Sequence, residues 1–241
     1  MNLDIYQQTS QLEKHHWWFV ARRKILKSLI QKIQPSKELD ILEIGAGTGG
    51  NLDMLMEFGN VSAVEPNQFA QSKIKEKFSN IVTLFDGKLP EELNLHDKKF
   101  DLICLFDVLE HIEDDRSSVR ALQKILNPGG KIIITLPAFQ SLWSPHDEAH
   151  HHFRRYNIST FKELIKESGL KITRISYFNF LLFPLAIVAR MFKKGTLPTN
   201  QIFKPSLLNT LLTLIFSSEK LLLSKMNLPF GLSLFCILEK K

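Results

Sequence analysis

A chain of 241 residues with 44% hydrophobic content is long enough to bury one sizeable core, and no Pro/Gly/Ser-rich linker splits it into independent halves. The formal charge is +6, yet from Phe180 onward eight Lys or Arg stand against two Glu, so residues 1–179 are formally neutral. A neutral body argues against general nucleic-acid binding, which needs a basic surface along the phosphates.

The N-terminus "MNLDIYQQTS" has neither a basic start nor an apolar run, so no secretory signal is expected and the expected location is the cytoplasm. Leu12, Phe19, Leu26 and Ile33 recur every seven residues with Ile30 on the same stripe, which predicts one amphipathic helix ending near Pro35. Short apolar runs then follow at 39–44, 61–65, 81–85, 100–106 and 131–136, alternating with helix-like segments near 50–58, 67–78 and 116–126. Unbroken apolar strands alternating with helices predict a parallel sheet covered on both faces. Such a sheet binds ligands at the carboxyl ends of its strands. A helix at 159–168 leads to "KITRISYF" as a sixth strand, about fifty residues intervene, and "LSLFCILEKK" reads as the last strand. Cys104 and Cys236 fall in strand-like runs without C-x-x-C spacing, so reduced, buried thiols are expected.

The turn "ILEIGAGTGG" leaves a strand and enters a helix, where glycines let the backbone pass close to a ligand. It reads in two ways. Gly45, Gly47 and Gly50 fit the dinucleotide pattern G-x-G-x-x-G, with Glu65 twenty residues after the first glycine as a ribose-binding acid. Glu43, Gly45, Gly47 and Gly49 also form E-x-G-x-G-x-G, which resembles the S-adenosylmethionine (SAM) turn of class I methyltransferases. Asp86 in "LFDGKLP", the stretch "FDLICLFDVLEHIEDD" and the turn "LNPGGKIIITLP" resemble further motifs of that family in the same order. The similarity covers roughly residues 37–178 and the last strand.

The resemblance implies an α/β fold: a Rossmann-like, mostly parallel sheet with an antiparallel last strand, an N-terminal helix, and a helical insertion before that strand. It divides the chain into an N-terminal extension or lid (1–36), a SAM-binding core (37–179), the insertion (180–230) and the final strand (231–241). Cofactor contacts are implied for Glu43, Gly45, Ala46, Gly47, Gly49, Glu65, Pro66, Asp86, Gly87, Phe106 and Asp107. SAM carries a sulfonium, an ammonium, a carboxylate and a ribose diol, so its pocket calls for acids and open backbone rather than a phosphate cradle. Glu65 suits the ribose hydroxyls, Asp86 the adenine amino group with Phe85 and Leu89 packing on the ring, and Glu43 either the glycine turn or the amino-acid end.

"HDEAHHHFRRY" (146–156) lies just beyond the fifth strand, where an acceptor would meet the cofactor. His146, Asp147, His150, His151 and His152 are all possible metal ligands. Adjacent histidines on one short loop cannot all point at one ion, so no metal is expected. Members of the ubiquinone-methyltransferase-like group carry a similar H-D-x-x-x-x-H-x-R-R-Y, falling here on His146, Asp147, His152, Arg154, Arg155 and Tyr156, together with an opening similar to His16–Phe19 and Ala21–Arg23. His151 stands where that group often has glycine. Proton removal is expected of His152 or His146, with His111 as a further candidate, because neutral imidazole suits it. Arg154 or Arg155 is expected to hold an anionic part of the acceptor, with Trp17, Arg22 and Tyr156 also on the acceptor side. Trp17, off the apolar stripe, suggests a lid or a contact surface, although packing of the helix on the sheet is the more common explanation for such a residue.

In the insertion, "FLLFPLAIVA" is too short to span a bilayer, which takes about 20 apolar residues. Leu208, Leu211, Leu212, Ile215, Leu222 and Met226 share one helical face. Two apolar helices flanked by lysines suit either a membrane interface or a cap or dimer contact. The expected function is therefore SAM-dependent methyl transfer, to oxygen, on a small or lipid-linked acceptor, in the cytoplasm or at the inner face of the membrane. A nicotinamide-dependent oxidoreductase or a non-catalytic, membrane-associated SAM-binding protein are the alternatives.

Overall fold

The computed structural model describes residues 3–34, 38–91, 93, 95–192 and 206–240, apart from the side chains of 189–192. Seven strands form one sheet: β1 (Leu39–Ile44), β2 (Gly59–Val64), β3 (Thr83–Phe85), β4 (Phe100–Phe106), β5 (Leu126–Pro137), β6 (Leu170–Phe178) and β7 (Ser233–Lys240). Their order is β3-β2-β1-β4-β5-β7-β6. The first five are parallel, and β7 lies antiparallel between β5 and β6, as expected. Strand β5 starts five residues before the predicted run because Leu126 pairs with Phe100 beyond a register shift.

Neighbouring strand residues face opposite layers. Ile41 belongs to a core with helices α2 (Trp17–Ile33), α3 (Leu52–Met56) and α4 (Gln68–Phe78), and Leu42 to a core with α5 (Asp115–Lys124) and α7 (Ile158–Ile165). Each fully buried Leu or Ile contributes about 1.5–3 kcal/mol, which is why unbroken apolar strands need cover on both sides. The short helix α6 (Pro145–Ala149) lies between β5 and α7. Helix starts are set locally: Asn67 accepts from the Ala70 amide at 3.0 Å, and Asp114 from the Ser117 amide at 2.9 Å, satisfying amides without a helical partner.

The predicted single N-terminal helix is instead two, α1 (Leu3–Leu12) and α2. Residues 13–16 break it, and Glu13 turns inward to accept from Thr48 Oγ1 at 2.8 Å and Lys77 Nζ at 2.5 Å. The core face of α2 is Ala21, Ile25, Leu26, Leu29 and Ile30, so Leu12 belongs to a different helix from the rest of its stripe. Pro35 lies outside the described residues.

The insertion contributes α8 (Phe183–Phe192) and α9 (Leu207–Leu223). Helix α9 buries Phe216 and Leu223 in the α2 layer, with Leu212, Ile215 and Leu222 packed against it. The six-residue face expected to act together is thereby split: Leu208, Leu211 and Met226 remain exposed. Lys193, Lys194, Lys204 and Lys241 lie outside the described residues, as does the side chain of Arg190. No helix among the described residues is long and apolar enough to cross a membrane. Cys104 and Cys236 are buried and free.

Candidate active site

The turn after β1 carries the geometry that its glycines foreshadow. Gly45 and Gly47 have φ of +68° and +56°, a region costly for other residues. A methyl group on Gly45 would sit 2.7 Å from Val108 in the loop after β4, whereas one on Gly47 would meet nothing within 4 Å. The first glycine therefore serves close packing, and the second leaves open space above the turn. The Gly47 amide donates to Glu65 Oε2 at 2.8 Å, and the Asn67 amide to Glu65 Oε1 at 2.9 Å. Burial raises the Glu65 carboxyl and these hydrogen bonds oppose it, leaving it above the usual range.

Glu43 lies fully buried below the turn. Its Oε1 accepts from Asn51 Nδ2 at 2.8 Å, while Oε2 has no partner, and burial pushes its carboxyl up to about 8. Gln71 Nε2 donates both to the Glu65 backbone carbonyl at 2.7 Å and to Asp86 Oδ1 at 3.2 Å, so one amide ties the backbone at the tip of β2 to the Asp86 carboxylate. Phe106 and Ala46 are buried, Gly87 is half-buried, and Pro66 and Asp86 face solvent. Asp107, at φ +60°, accepts from Thr135 Oγ1 at 3.1 Å and pairs with Arg22.

A methyl group on Gly50, the third glycine of the dinucleotide pattern, would fall 2.5 Å from the carboxylate of buried Glu13, which is itself paired with Lys77, so this glycine serves close packing.

The 146–156 stretch is organised by Asp147, which is fully buried. Its Oδ2 accepts from the Ser144 amide and hydroxyl at 2.8 and 2.9 Å, capping α6. Arg155 grips it in two places, Nε to Oδ1 at 2.7 Å and an Nη to Oδ2 at 2.9 Å. His152 Nδ1 lies 2.9 Å from the same Oδ1. Burial raises the Asp147 carboxyl, but hydrogen bonds from His152, Arg155 and Ser144 outweigh it and hold the group well below the usual carboxylate range.

Several acceptor-side expectations change accordingly. The Arg155 guanidinium is committed to Asp147 and the Ala138 carbonyl at 3.1 Å, so it fixes the loop instead of reaching outward. Arg154 pairs with Asp115 at 2.8 Å and donates to the Glu113 carbonyl at 2.7 Å. The Tyr156 hydroxyl donates to Asp115 at 2.8 Å. Arg22 stacks on Trp18 at 4.4 Å while pairing with Asp107. Trp17 sets its ring edge-on to Phe216 of α9, with centroids 6.0 Å apart, and its amide donates to Asn209 Oδ1 at 2.9 Å. These two contacts tie the start of α2 to α9.

The histidines separate by environment. His146 is exposed, with its ring 6.4 Å from that of His152. His111 meets His152 edge-to-face at 4.6 Å, and burial, reinforced by His152, pushes its pKa down to about 4. Both are half-buried, and the Phe153 amide ties the loop to the Glu110 carbonyl at 2.7 Å.

Glu110, which sequence reading passed over, is fully buried, and neither carboxylate oxygen has a hydrogen-bond partner. Glu110, His111 and His152 each offer a ligand atom, all within 4.8 Å of one another. The loop after β4 thus sets one carboxylate and one histidine beside His152, a combination of ligand types that could hold a metal ion, with Asp147 on the other side of the His152 ring. The available sequence signal was an acid beside a histidine, flanked by Leu109 and Ile112, in the loop after β4.

Comparison with known proteins identifies the family of the chain. A family model described as "Methyltransferase domain" matches residues 18–175. A probable S-adenosylmethionine-dependent methyltransferase of Mycolicibacterium smegmatis is 24% identical over 165 residues, covering 67% of this chain and 62% of the relative. The mitochondrial ubiquinone biosynthesis O-methyltransferase of Dictyostelium discoideum is 28% identical over 166 residues, covering 60% and 50%. The chain thus spans only part of the length of the curated relatives it matches. In fold, it is similar to an S-adenosylmethionine-dependent methyltransferase of Clostridium acetobutylicum (TM-score 0.59, 14% identity, 90% of each chain covered). It is likewise similar to the glycopeptide N-methyltransferase MtfA complexed with sinefungin (TM-score 0.57, 12% identity, 90% and 94% covered). The open backbone at Gly47, the acid at the tip of β2 and the unpartnered oxygen of Glu43 fit such a cofactor, and the chain belongs to the class I methyltransferase-domain family, whose cofactor is S-adenosylmethionine.

Proposed function

We propose that the protein transfers a methyl group from SAM to an oxygen of a small or lipid-linked acceptor. The observation that carries this reading is the Asp147–His152 pair, with Nδ1 of the imidazole 2.9 Å from the carboxylate. With the proton on Nδ1, Nε2 is left with a lone pair, the arrangement that makes histidine a general base. SAM supplies a carbon already activated for displacement, so alignment by the glycine turn, Glu65 and Asp86 provides most of the acceleration. As the acceptor oxygen forms its bond to that methyl carbon and the sulfur–carbon bond breaks, the hydroxyl proton passes to His152 Nε2. Asp147 stabilises the resulting imidazolium. Trp17, Arg22, Arg154, Arg155 and Tyr156 shape the acceptor side by holding its helices and loops.

A second reading of the same cluster rests on the two partnerless oxygens of buried Glu110. A divalent cation held by Glu110, His111 and His152 would neutralise that acid and lower the pKa of an acceptor hydroxyl. Incubating the purified protein with methyl-labelled SAM and an extract of lipids and metabolites tests the proposal. Label in a methyl ether or ester supports it; label confined to amines overturns the oxygen assignment. Cofactor binding without any transfer favours a non-catalytic binding protein instead.

A further inference from the structure

Helix α9 is apolar on both sides. Phe216 and Leu223 are buried inward, while Leu207, Leu211, Leu214 and Leu221 are 92%, 52%, 58% and 63% exposed. Their spacing of four, three and seven residues puts them on one outer stripe. On α8, Leu185 and Val188 are 58% and 49% exposed. Scattered surface leucines are ordinary, but an aligned row this long marks a contact surface.

Along the sequence, the charges of this insertion are predominantly of one sign. From Ser168 to Ser218 the sequence contains no Asp or Glu. The one acid on α9, Glu219, is buried and accepts the Leu181 amide at 2.9 Å, whereas Lys220 and Lys225 are exposed. All of the chain's net positive charge lies from Phe180 onward. A protein partner or a second copy would have to supply a complementary acidic rim; for a second copy, the same basic patch would face itself across the contact. An anionic lipid surface offers both an apolar boundary and negative headgroups.

We infer that the outer faces of α8 and α9 form a docking surface for an anionic bilayer, with the leucine stripe entering the headgroup boundary and the net positive charge of the surrounding sequence drawing it to the headgroups. The placement also suits the reading above of a lipid-linked acceptor, on which this part of the argument rests. Asn209 on α9 holds the start of α2 through the Trp17 amide and, through its own Nδ2, the His15 carbonyl at 2.9 Å. Helix α2 carries Arg22 to Asp107 beside the glycine turn. The α9 surface is thereby joined to the region of the glycine turn through one helix.

The test is co-sedimentation of the full chain with phosphatidylcholine vesicles, with and without phosphatidylglycerol, in the absence of SAM and of any acceptor. Its outcome is therefore independent of whether methyl transfer is the activity. The expected result is binding to the phosphatidylglycerol vesicles that weakens with salt. It should fall at least about tenfold in L211E/L214E, the scale set by withdrawing two leucines from apolar contact. The K220E/K225E variant, which leaves the leucines alone, should lose the preference for phosphatidylglycerol, and retained affinity for S-adenosylhomocysteine shows that each variant is folded. Failure to bind either vesicle, equal binding by wild type and both variants, or a wild-type dimer in solution that L211E/L214E splits would overturn the inference.

Discussion

The Tyr6 hydroxyl donates to Glu65 Oε1 at 3.1 Å, so helix α1 reaches the acid at the tip of β2. Glu65 raises the Tyr6 pKa after burial has done so, and the phenol therefore stays protonated as a donor. A ribose hydroxyl seeking the same oxygen competes with Tyr6. Tyr6→Phe removes the competitor and should tighten S-adenosylhomocysteine binding a few-fold, by about 1 kcal/mol, the usual net worth of one hydrogen bond. Calorimetric titration measures it; weaker binding would show that Tyr6 assists the ligand.

Glu43 sets a pH dependence. Burial pushes its carboxyl up to about 8, whereas an unfolded Glu titrates near about 4.3. The folded state holds the extra proton between those values, so the contribution of Glu43 to stability is complete below the lower one and is lost as pH rises through the upper. Glu43→Gln cannot ionise. The melting temperature of wild type should fall relative to that of the variant as pH is raised across this window, as differential scanning fluorimetry would record; parallel curves would mean that Glu43 is ionised in the fold.

Asp147 and His152 separate stability from turnover. Removing Asp147 with Asp147→Ala leaves the Arg155 guanidinium buried without its partner, which costs about 3–5 kcal/mol and lowers the melting temperature by about 6–20 °C. His152→Gln preserves the Asp147–Arg155 pair, so it should melt close to wild type and bind S-adenosylhomocysteine normally while losing methyl transfer. Turnover retained in His152→Gln would remove His152 from the mechanism.

The Glu110 cluster makes a prediction about ions. Mn²⁺ added to the protein should bind in a manner visible by electron paramagnetic resonance, and Glu110→Ala or His111→Ala should abolish the bound signal. Asp147→Asn, which removes the charge that orients His152 and also pairs with Arg155, should weaken binding about 10–100-fold. Absence of bound Mn²⁺ in wild type would leave His152 to act on the proton alone.

Much of the architecture was open to inspection in the residues. The runs 39–44 and 100–106 are strands β1 and β4 to the residue, because a strand buried on both faces needs only local apolar character to be recognised. The positive φ values at Gly45 and Gly47 likewise follow from a local requirement that glycine alone meets cheaply. The seven-residue stripe misled at Leu12, since periodicity does not register a chain reversal made so that Glu13 can reach Thr48 and Lys77.

Sequence by itself thus determined the layered sheet, its glycine turn and the acids around it. Only the tertiary structure decided that Arg155 grips Asp147, that Tyr6 covers Glu65, and that Glu110 and His111 meet His152 from a loop about forty residues away. The reason is physical. Apolar patterning and backbone conformation are set by neighbours along the chain, but a charge or a hydrogen bond is satisfied by whichever group folding brings within reach, at any separation in sequence.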